Sequence, residues 1–371
     1  MNMMGLIFAN IYDSSLGELT NKRTMASLPY GGRYRQIDFA LSNMSNAGIR
    51  HIGIITKYNY QSLMNHIGSG TEWDLELEEN GLEFLTPYSM NSSESYRGKL
   101  EAIHDANFYL SISHEDYVVL TDAGVLCGIN LNEVLDAHIA SGKDVTVVTK
   151  AGIANGSRLV DLAVKVNRKG EIADMAVDYC APEDYLASMG IFIMKRELLM
   201  KLTEECVARN LYRFERDLVL RGWDKKQLTV NAYQFKNIAL FNESTAEYFR
   251  NNLALLDENV RKSLFRADLP IYTKVRDQVP CFYGENCEID DCIVADGCML
   301  QGVAERCVIF RGVKLREGAH IRNCVVMADT EIGKGAELEN CILDKNVTIG
   351  EGVRLIGTPD HPVILKRGES A

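Results

Sequence analysis

The stretch from residue 19 to residue 58 joins a loop that is expected to hold phosphates to the helix and the strand beneath it. It carries Arg23 and the neighbouring glycines Gly31 and Gly32. Glycines let backbone N–H groups approach a phosphate closely, and an arginine neutralises phosphate charge. The chemistry to expect from these residue types is therefore the binding of a phosphate-bearing small molecule.

The elements around this loop place it at the edge of a sheet. An apolar run over residues 3–11 precedes the loop and is typical of a buried strand. Residues 36–47 follow with apolar side chains at helical spacing, Gly48 closes the helix, and residues 51–57 form a second strand. In such a β-loop-α-β unit the loop after the first strand lies at the carboxyl edge of a parallel sheet, where nucleotides usually bind.

From Pro29 the sequence PYGGRYRQIDFALSNMSNAGI resembles the signature PFGGKYRIIDFxLSNxxNSGI of the ADP-glucose pyrophosphorylases, and the likeness continues in order along the chain. It includes LASMG at residues 186–190. The resemblance implies an α/β fold: a Rossmann-like nucleotidyltransferase domain with a mixed, mostly parallel sheet, followed by a left-handed β-helix. It also implies a vestigial nucleotide and sugar-phosphate pocket, formed by Arg23, Gly31, Gly32, Gly98, Asp122, Ser188, Gly190 and Asp217.

The same resemblance identifies the charged groups that this chain lacks. The arginine of the family's glycine-rich loop falls at Ser15, the lysine of its RAKP motif at Met25, and two acidic metal ligands fall at Ala123 and Arg213. A further lysine, which grips the sugar phosphate in the family's EKP motif, has no counterpart. Because these groups hold Mg²⁺ and the phosphates in catalytic members, we predict no catalytic residue and no resident metal or cofactor. Mg²⁺ and ATP would be used by a catalytic partner.

Asp122 stands one position before the family's metal-binding aspartate, at the end of a buried strand that begins at Tyr117. Along a strand, an offset of one residue turns a side chain to the opposite face. Asp122 is therefore expected not to hold a metal unless a bulge re-aims it.

A repeat occupies the last part of the chain. Nine small residues recur in steps of six within 17-residue periods, and an aliphatic residue stands two places after each. The small residues are Cys307, Val313, Ala319, Cys324, Thr330, Ala336, Cys341, Val347 and Val353. This pattern predicts a hexapeptide β-helix with a stacked aliphatic interior. We therefore divide the chain into a nucleotidyltransferase-like domain (1–242), a helix and linker (243–279, with a helix over 244–263) and a β-helix domain (280–371).

Composition and charge limit the class of protein. Hydrophobic residues make up 46% of the 371 residues, and the net charge is −11. This charge argues against nucleic acid or an anionic membrane as partner, and without an 18-residue apolar run or a leader a cytoplasmic address is expected. Seven of the ten cysteines lie in the last 91 residues. The repeat explains them as small buried side chains, and the absence of a C-x-x-C pair argues against zinc.

The retained framework and altered charges favour a non-catalytic, regulatory subunit in glycogen biosynthesis. The resemblance implies a hetero-oligomer, as a heterotetramer with a catalytic ADP-glucose pyrophosphorylase subunit, although a homo-oligomer remains open. The β-helix would be the assembly device. One alternative is a weakly active adenylyltransferase, and another is a sugar-phosphate sensor or an acyltransferase, for which only His320 and His361 are candidate histidines. The sequence leaves open the effector, the stoichiometry and which ligand the pocket binds.

Overall fold

A computed structural model describes residues 2–11, 13–76, 81–86 and 96–371. The chain forms two compact units. The first contains residues 1–10, 40–58 and 68–239, and the second contains residues 11–39, 59–67 and 240–371.

The α/β part of the chain alternates strands and helices. Its strands are β1 Met3–Phe8, β2 Pro29–Tyr30, β3 Tyr34–Arg35, β4 Ile52–Ile55, β5 Leu82–Leu85, β6 Tyr117–Asp122, β7 Val125–Leu126, β8 Val145–Lys150, β9 Val160–Val166, β10 Ile172–Tyr179, β11 Leu186–Lys195, β12 Val230–Gln234 and β13 Leu240–Phe241. The helices are α1 Gln36–Asn46, α2 Gln61–Ile67, α3 Lys99–Asp105, α4 Asn107–Ile112, α5 Leu131–Ser141, α6 Arg196–Val207, α7 Arg221–Asp224, α8 Thr245–Leu253 and α9 Glu258–Leu264.

One nine-stranded mixed sheet forms the centre of the first unit, with the order β10-β9-β11-β6-β1-β4-β5 and with β8 and β12 attached through β11. Strands β6, β1, β4 and β5 run parallel, as the β-loop-α-β pattern predicts. Strand β11 is antiparallel to β6. The continuous apolar runs of β1 and β6 are buried, which is typical of parallel strands covered on both faces.

The second unit contains the predicted left-handed parallel β-helix. Three five-stranded parallel sheets form its faces: β14-β17-β20-β23-β26, β15-β18-β21-β24-β27 and β16-β19-β22-β25-β28. The strands are β14 Phe282–Tyr283, β15 Glu288–Asp290, β16 Ile293–Val294, β17 Met299–Leu300, β18 Val303–Glu305, β19 Val308–Ile309, β20 Lys314–Leu315, β21 His320–Arg322, β22 Val325–Val326, β23 Glu331–Ile332, β24 Glu337–Glu339, β25 Cys341–Leu343, β26 Thr348–Ile349, β27 Arg354–Ile356 and β28 Val363–Leu365. The predicted interior is confirmed, because the repeat cysteines and the aliphatic stack share one buried cluster.

The chain segment that precedes α1 also belongs to this second unit. Leu16, Leu19, Met25 and Leu28 pack in a buried apolar cluster with Tyr248 of α8. The side chains on the outside of the third sheet, Val308, Phe310, Val325, Met327 and Ile342, complete this cluster. Each compact unit is therefore built from segments that are separate in the sequence. The predicted domain boundaries at 242 and 279 divide the chain in sequence order, and they stay a prediction.

The predicted single helix over residues 244–263 is wrong. A 3-10 turn at Ala254–Leu256 ends α8, and the backbone of Asp257 is extended. The side chain of Asp257 accepts the N–H of Asn259 at 2.7 Å, and this N-cap starts α9. Within the described part of the chain, no helix has the length and apolar character needed to cross a membrane.

Candidate functional site

Asp122 lies at the carboxyl end of β6, where the sheet order places it beside the end of β1. Its backbone is in register with Phe8. The carboxylate is almost completely buried, with a side-chain exposure of 3%. A buried carboxylate requires a cation or several hydrogen-bond donors, so its partners determine what this position can do.

Lys99, the first residue of α3, supplies that cation. Its Nζ lies 2.9 Å from Oδ2 of Asp122 and 2.5 Å from Oε1 of Glu215. The ammonium also lies 5.4 Å from the ring centre of Phe8, which is within the range of a cation–π interaction. The structure therefore forms an acidic triad, Asp122–Lys99–Glu215, in which one ammonium group serves two carboxylates.

The pKa values of Asp122 and Lys99 are both raised in this triad, for different reasons. Burial raises the pKa of Asp122 to about 7, although the ammonium of Lys99 acts in the opposite direction. Burial alone would lower the pKa of Lys99, but the carboxylates of Asp122 and Glu215 outweigh it and raise that pKa. Lys99 therefore stays charged at neutral pH and provides the cation that the buried carboxylate of Asp122 requires.

A bulge in β11 closes the site on the Asp122 side. The register of β11 against β8 shifts between Ser188 and Ile191, and Gly190 within this bulge has a φ of +65°. A Cβ atom at Gly190 would lie 2.4 Å from Oδ2 of Asp122. Ser188 accepts the N–H of Gly190 at 3.1 Å. These two retained residues shape the bulge that presses on the carboxylate.

Asp217 and Arg213 are engaged with protein groups. Asp217 accepts the backbone N–H groups of Tyr212 and Arg213 at 3.0 and 2.9 Å, and it also accepts Nε of Arg216 at 2.8 Å. Burial would raise the pKa of Asp217, but these donors, Arg216 first, lower it. Arg213 forms a two-atom ion pair with Asp178, with NH2 lying 2.7 Å from Oδ1. Asp217 therefore caps the π-helical turn Phe214–Leu220 that carries Glu215.

Gly98 permits a close approach that holds α3 in place. A Cβ atom at Gly98 would lie 2.1 Å from the carbonyl oxygen of Tyr212, and the N–H of Leu100 donates to that oxygen at 3.0 Å. This contact joins the start of α3, with Lys99, to the segment before Glu215. Ala123 is buried directly after Asp122, and its N–H donates to the carbonyl of Phe8 at 3.2 Å.

In the second unit, loop residues that the sequence analysis assigned to phosphate binding contact other groups of the chain instead. Met25 is fully buried in the apolar cluster, and its backbone N–H donates to Oδ1 of Asp13 at 2.7 Å. The carboxylate of Asp13 thus accepts the backbone N–H of Met25, which is then not available to a bound anion. Ser15 is exposed, and Tyr12 lies outside the described residues.

Arg23 forms a buried ion pair rather than pointing to solvent. Its NH2 donates to both carboxylate oxygens of Asp344 in the β-helix, and the two side chains are 4% and 3% exposed. Gly31 and Gly32 both have positive φ, in the turn between β2 and β3. Gly31 donates its N–H to Oδ1 of Asn252, and a Cβ on it would lie 2.7 Å from Leu255. The second unit thus uses Arg23 and Gly31 for its own packing, whereas Gly32 lines a pocket of this unit.

A pocket with many cations lies within the second unit. Seven of its lining side chains are basic: Arg33, Arg35, His66, Lys274, Arg276, Arg311 and Lys345. Asp329 is the carboxylate residue that lines it, among the described residues. Behind the wall, Asp38 accepts from Nε2 of His66 and from the backbone N–H of Arg35.

The pocket's positive charge is poorly compensated. Burial, together with the cations Arg35 and Arg23, lowers the pKa of Lys345 to about 7. Burial also lowers the pKa of Arg35 to about 10, and burial with the neighbouring arginines lowers the pKa of Arg311. Clustered cations of this kind favour a bound anion, so the pocket has the chemistry of a site for phosphate-bearing ligands.

The site residues do not fit a divalent cation. Mg²⁺ requires oxygen ligands, but the ammonium of Lys99 occupies the carboxylates of Asp122 and Glu215. Among residues 2–11, 13–76, 81–86 and 96–371, no cluster of three or more His, Cys, Asp or Glu has metal-binding geometry. Sequence reasoning missed the roles of Lys99, Glu215 and Asp344 and the pocket cations beyond the predicted loop, which itself contributes Arg33 and Arg35. The available signal for the triad was the lysine directly after the retained Gly98.

Comparisons with known proteins agree with this architecture. A family model described as nucleotidyl transferase matches residues 6–234, and one described as GlmU-like, C-terminal hexapeptide matches residues 279–361. The chain is 32% identical over 366 residues to the glycogen biosynthesis protein GlgD of Bacillus subtilis (strain 168), covering 99% of this chain and 96% of that protein.

Two relatives from Geobacillus stearothermophilus differ in how much of the chain they match. The GlgD protein of this organism is 35% identical over 367 residues, which cover 99% of this chain and 96% of that protein. Its glucose-1-phosphate adenylyltransferase is 31% identical over 323 residues, which cover 86% of this chain and 83% of that enzyme.

Proposed function

Because this chain belongs to the nucleotidyltransferase family that contains the glucose-1-phosphate adenylyltransferases and the GlgD proteins, we propose that it is a non-catalytic, regulatory subunit in glycogen biosynthesis. It would assemble with a catalytic glucose-1-phosphate adenylyltransferase and raise its activity. The similarity to glycogen biosynthesis proteins supports glycogen biosynthesis, and the ion pairs of the site support the regulatory role.

The observation that carries this proposal is the ammonium of Lys99 bound to Asp122 and Glu215. Adenylyl transfer depends on a metal ion and on cations aimed at the phosphates. Here the ammonium of Lys99 compensates the charge of Asp122, at the end of β6, and of Glu215. The altered positions Met25 and Arg213 are also engaged, in an apolar cluster and in an ion pair with Asp178.

The basic pocket of the second unit gives the regulatory role a physical basis. Its cations include Arg33, Arg276 and Arg311. These positive charges can bind an anion from solution, whereas the ammonium of Lys99 in the triad is already paired with carboxylates. A regulatory subunit needs a site through which a metabolite can act, and a phosphate-bearing metabolite matches this pocket chemically.

The test measures ADP-glucose formation by the pure chain, by a catalytic glucose-1-phosphate adenylyltransferase, and by their mixture. We expect no turnover by the pure chain and a mixture that is faster than the catalytic chain alone. Turnover by the pure chain of about 1 s⁻¹ or more, within the ordinary enzyme range, would instead support an active adenylyltransferase. A mixture with unchanged rate and no complex would contradict the regulatory role.

We further propose that the β-helix is the assembly surface. Strand β14 is the end strand of its sheet and presents Phe282 and Tyr283, which are 54% and 51% exposed. Deleting residues 281–371 is a poor test, because it removes Asp344 from buried Arg23. A sharper test is Phe282→Asp, with Ile356→Asp on the last coil (52% exposed) as the matched control. We expect only Phe282→Asp to reduce co-purification with the catalytic chain, and intact assembly by this variant would place the interface elsewhere.

A further inference from the structure

Four cysteines lie one above another on successive coils of the β-helix: Cys292, Cys307, Cys324 and Cys341. The strand register establishes the stack, because the residues that follow these cysteines pair in the order Ile293, Val308, Val325 and Ile342. Neighbouring strands in a sheet lie about 4.8 Å apart, and a disulfide needs Cα atoms about 4.4–6.8 Å apart. Adjacent cysteines of the stack therefore meet the first geometric requirement for a disulfide.

Backbone N–H groups point at the sulfurs within this stack. The N–H of Cys307 donates to Sγ of Cys292 at 3.3 Å, and the N–H of Cys324 donates to Sγ of Cys307 at 3.4 Å. An N–H donor stabilises a thiolate more than a thiol, because the charged sulfur is the better acceptor. Each sulfur is thus close to the next residue of the stack.

The stack is open to solvent at one end. Cys292 is partly exposed, whereas Cys307, Cys324 and Cys341 are buried. Hydrogen bonding by Cys307 lowers the pKa of the Cys292 thiol, although burial opposes it, and burial raises the pKa of Cys307 and Cys324. Since the thiolate is the reactive form, Cys292 combines access with reactivity, and its partner thiol lies directly beneath it.

We propose that Cys292 is a peroxide-reactive modification site and that Cys307 is its resolving thiol. The Cys292 thiolate attacks one oxygen of hydrogen peroxide, which breaks the O–O bond and leaves a sulfenic acid and hydroxide. That hydroxide takes a proton from solvent to become water. The sulfur of Cys307 then attacks the sulfenic sulfur, and the departing hydroxyl group takes the Cys307 proton and leaves as a second water molecule. Two thiols are oxidised, hydrogen peroxide is reduced to two water molecules, and the product is a disulfide between adjacent coils.

A second pair in the β-helix provides the comparison. Cys281 stacks over Cys298, as the pairing of Phe282 with Met299 shows. Both thiols donate to the carbonyl of Ala295, at 3.0 and 3.1 Å. Cys292 also donates to carbonyls, those of Asp290 and Ala304 at 3.1 and 3.4 Å, so the difference lies in the N–H of Cys307 that Cys292 accepts. Burial raises the pKa of Cys298 to about 12. This pair should therefore react more slowly than Cys292 and Cys307.

The test treats the full chain with hydrogen peroxide, blocks the remaining thiols with N-ethylmaleimide and identifies linked peptides by mass spectrometry. We expect a linked peptide that contains Cys292 and Cys307 and that dithiothreitol separates. In Cys307→Ser, Cys292 should remain a sulfenic acid that dimedone captures. Cys324→Ser should leave the link unchanged, and exposed Cys180 serves as the internal reference for a thiol with access.

Several results would overturn the proposal. In the wild-type chain, N-ethylmaleimide labelling of Cys292 no faster than that of buried Cys324 would remove the claim of reactivity. Peroxide links that join Cys281 to Cys298 first, or that join only two separate chains, would show that Cys307 does not resolve Cys292. These readouts need no variant, so they stand even if Cys307→Ser does not fold.

Discussion

The acidic triad of the first unit and the basic pocket of the second unit show two ways of handling buried charge. In the triad, a single ammonium group lies within 2.9 Å of Asp122 and 2.5 Å of Glu215. In the pocket, the cations Arg33, Arg276 and Arg311 lie in a wall whose carboxylate residue is Asp329. The triad supplies its own counter-ion, whereas in the pocket seven basic side chains share the carboxylate of Asp329.

This difference indicates where a ligand can contribute binding energy. A ligand that enters the triad would have to displace Lys99 and leave a buried charge uncompensated, which is costly. An anion that enters the pocket relieves repulsion between cations that are already in place. The loss of a cation is therefore expected to have a different effect in each region. Removing a cation from the triad should destabilise the fold, and removing one from the pocket should weaken ligand binding.

The largest expected effect is the loss of the triad's ammonium. Lys99→Met should lower the free energy of unfolding by about 3–5 kcal/mol, because it leaves the buried carboxylate of Asp122 and the partly buried carboxylate of Glu215 without their cation. Urea unfolding at neutral pH measures this change. The loss should shrink as the pH falls, since protonated carboxyls no longer require Lys99.

Lys165→Met is the matched control for Lys99→Met. Lys165 also forms a lysine–aspartate pair, with Asp184 at 2.6 Å, but both side chains are largely exposed. It should therefore change stability little. Equal effects of the two substitutions would mean that burial does not distinguish the triad from an ordinary surface pair.

A smaller effect is expected when the backbone that presses on Asp122 is altered. Gly190→Ala should cost about 1–3 kcal/mol, because it places a Cβ against the carboxylate and strains a positive φ. Gly142→Ala is the control: its φ is +62°, but nothing lies within 4 Å of the added Cβ. The excess cost at Gly190 in thermal or urea unfolding measures the close approach, and no excess would show that the bulge can move away.

In the pocket, the expected effect appears in binding. Arg311→Gln should weaken the binding of inorganic pyrophosphate by about tenfold, which corresponds to one charge-assisted hydrogen bond of about 1.4 kcal/mol. Titration calorimetry measures it, and the stability of the ligand-free chain should not fall. Arg322→Gln, on an exposed arginine outside the pocket, is the control. Unchanged pyrophosphate affinity in Arg311→Gln would place anion binding elsewhere.

The smallest effect concerns pH. Since burial and nearby cations lower the pKa of Lys345 to about 7, this group gains its charge as the pH falls through neutrality. Sulfate, whose charge is constant in this range, should therefore bind a few-fold more tightly at about pH 6 than at about pH 8. Burial lowers the pKa of His66, which limits its contribution. Lys345→Gln should abolish the pH dependence, and if it persists in that variant another group is responsible.

The sequence by itself determined the parts of the fold that depend on local periodicity. The steps of six residues predicted which side chains line the β-helix, and Ile332 and Leu338 are buried there as expected. The β-loop-α-β pattern of residues 3–57 predicted the parallel strands β1 and β4. Such patterns are readable because each residue's environment repeats at a spacing set by the backbone geometry.

The tertiary structure alone decided which charges are compensated. Lys99 and Glu215 are 116 positions apart, and Arg23 and Asp344 are 321 positions apart. No period connects such pairs, since they meet only when segments from distant parts of the chain are brought together by folding. Alignment with a family pattern therefore identified Asp122 as displaced and Arg23 as retained. It did not show that Lys99 neutralises the first or that Asp344 binds the second, because an ion pair depends on distance and burial, which only the folded chain defines.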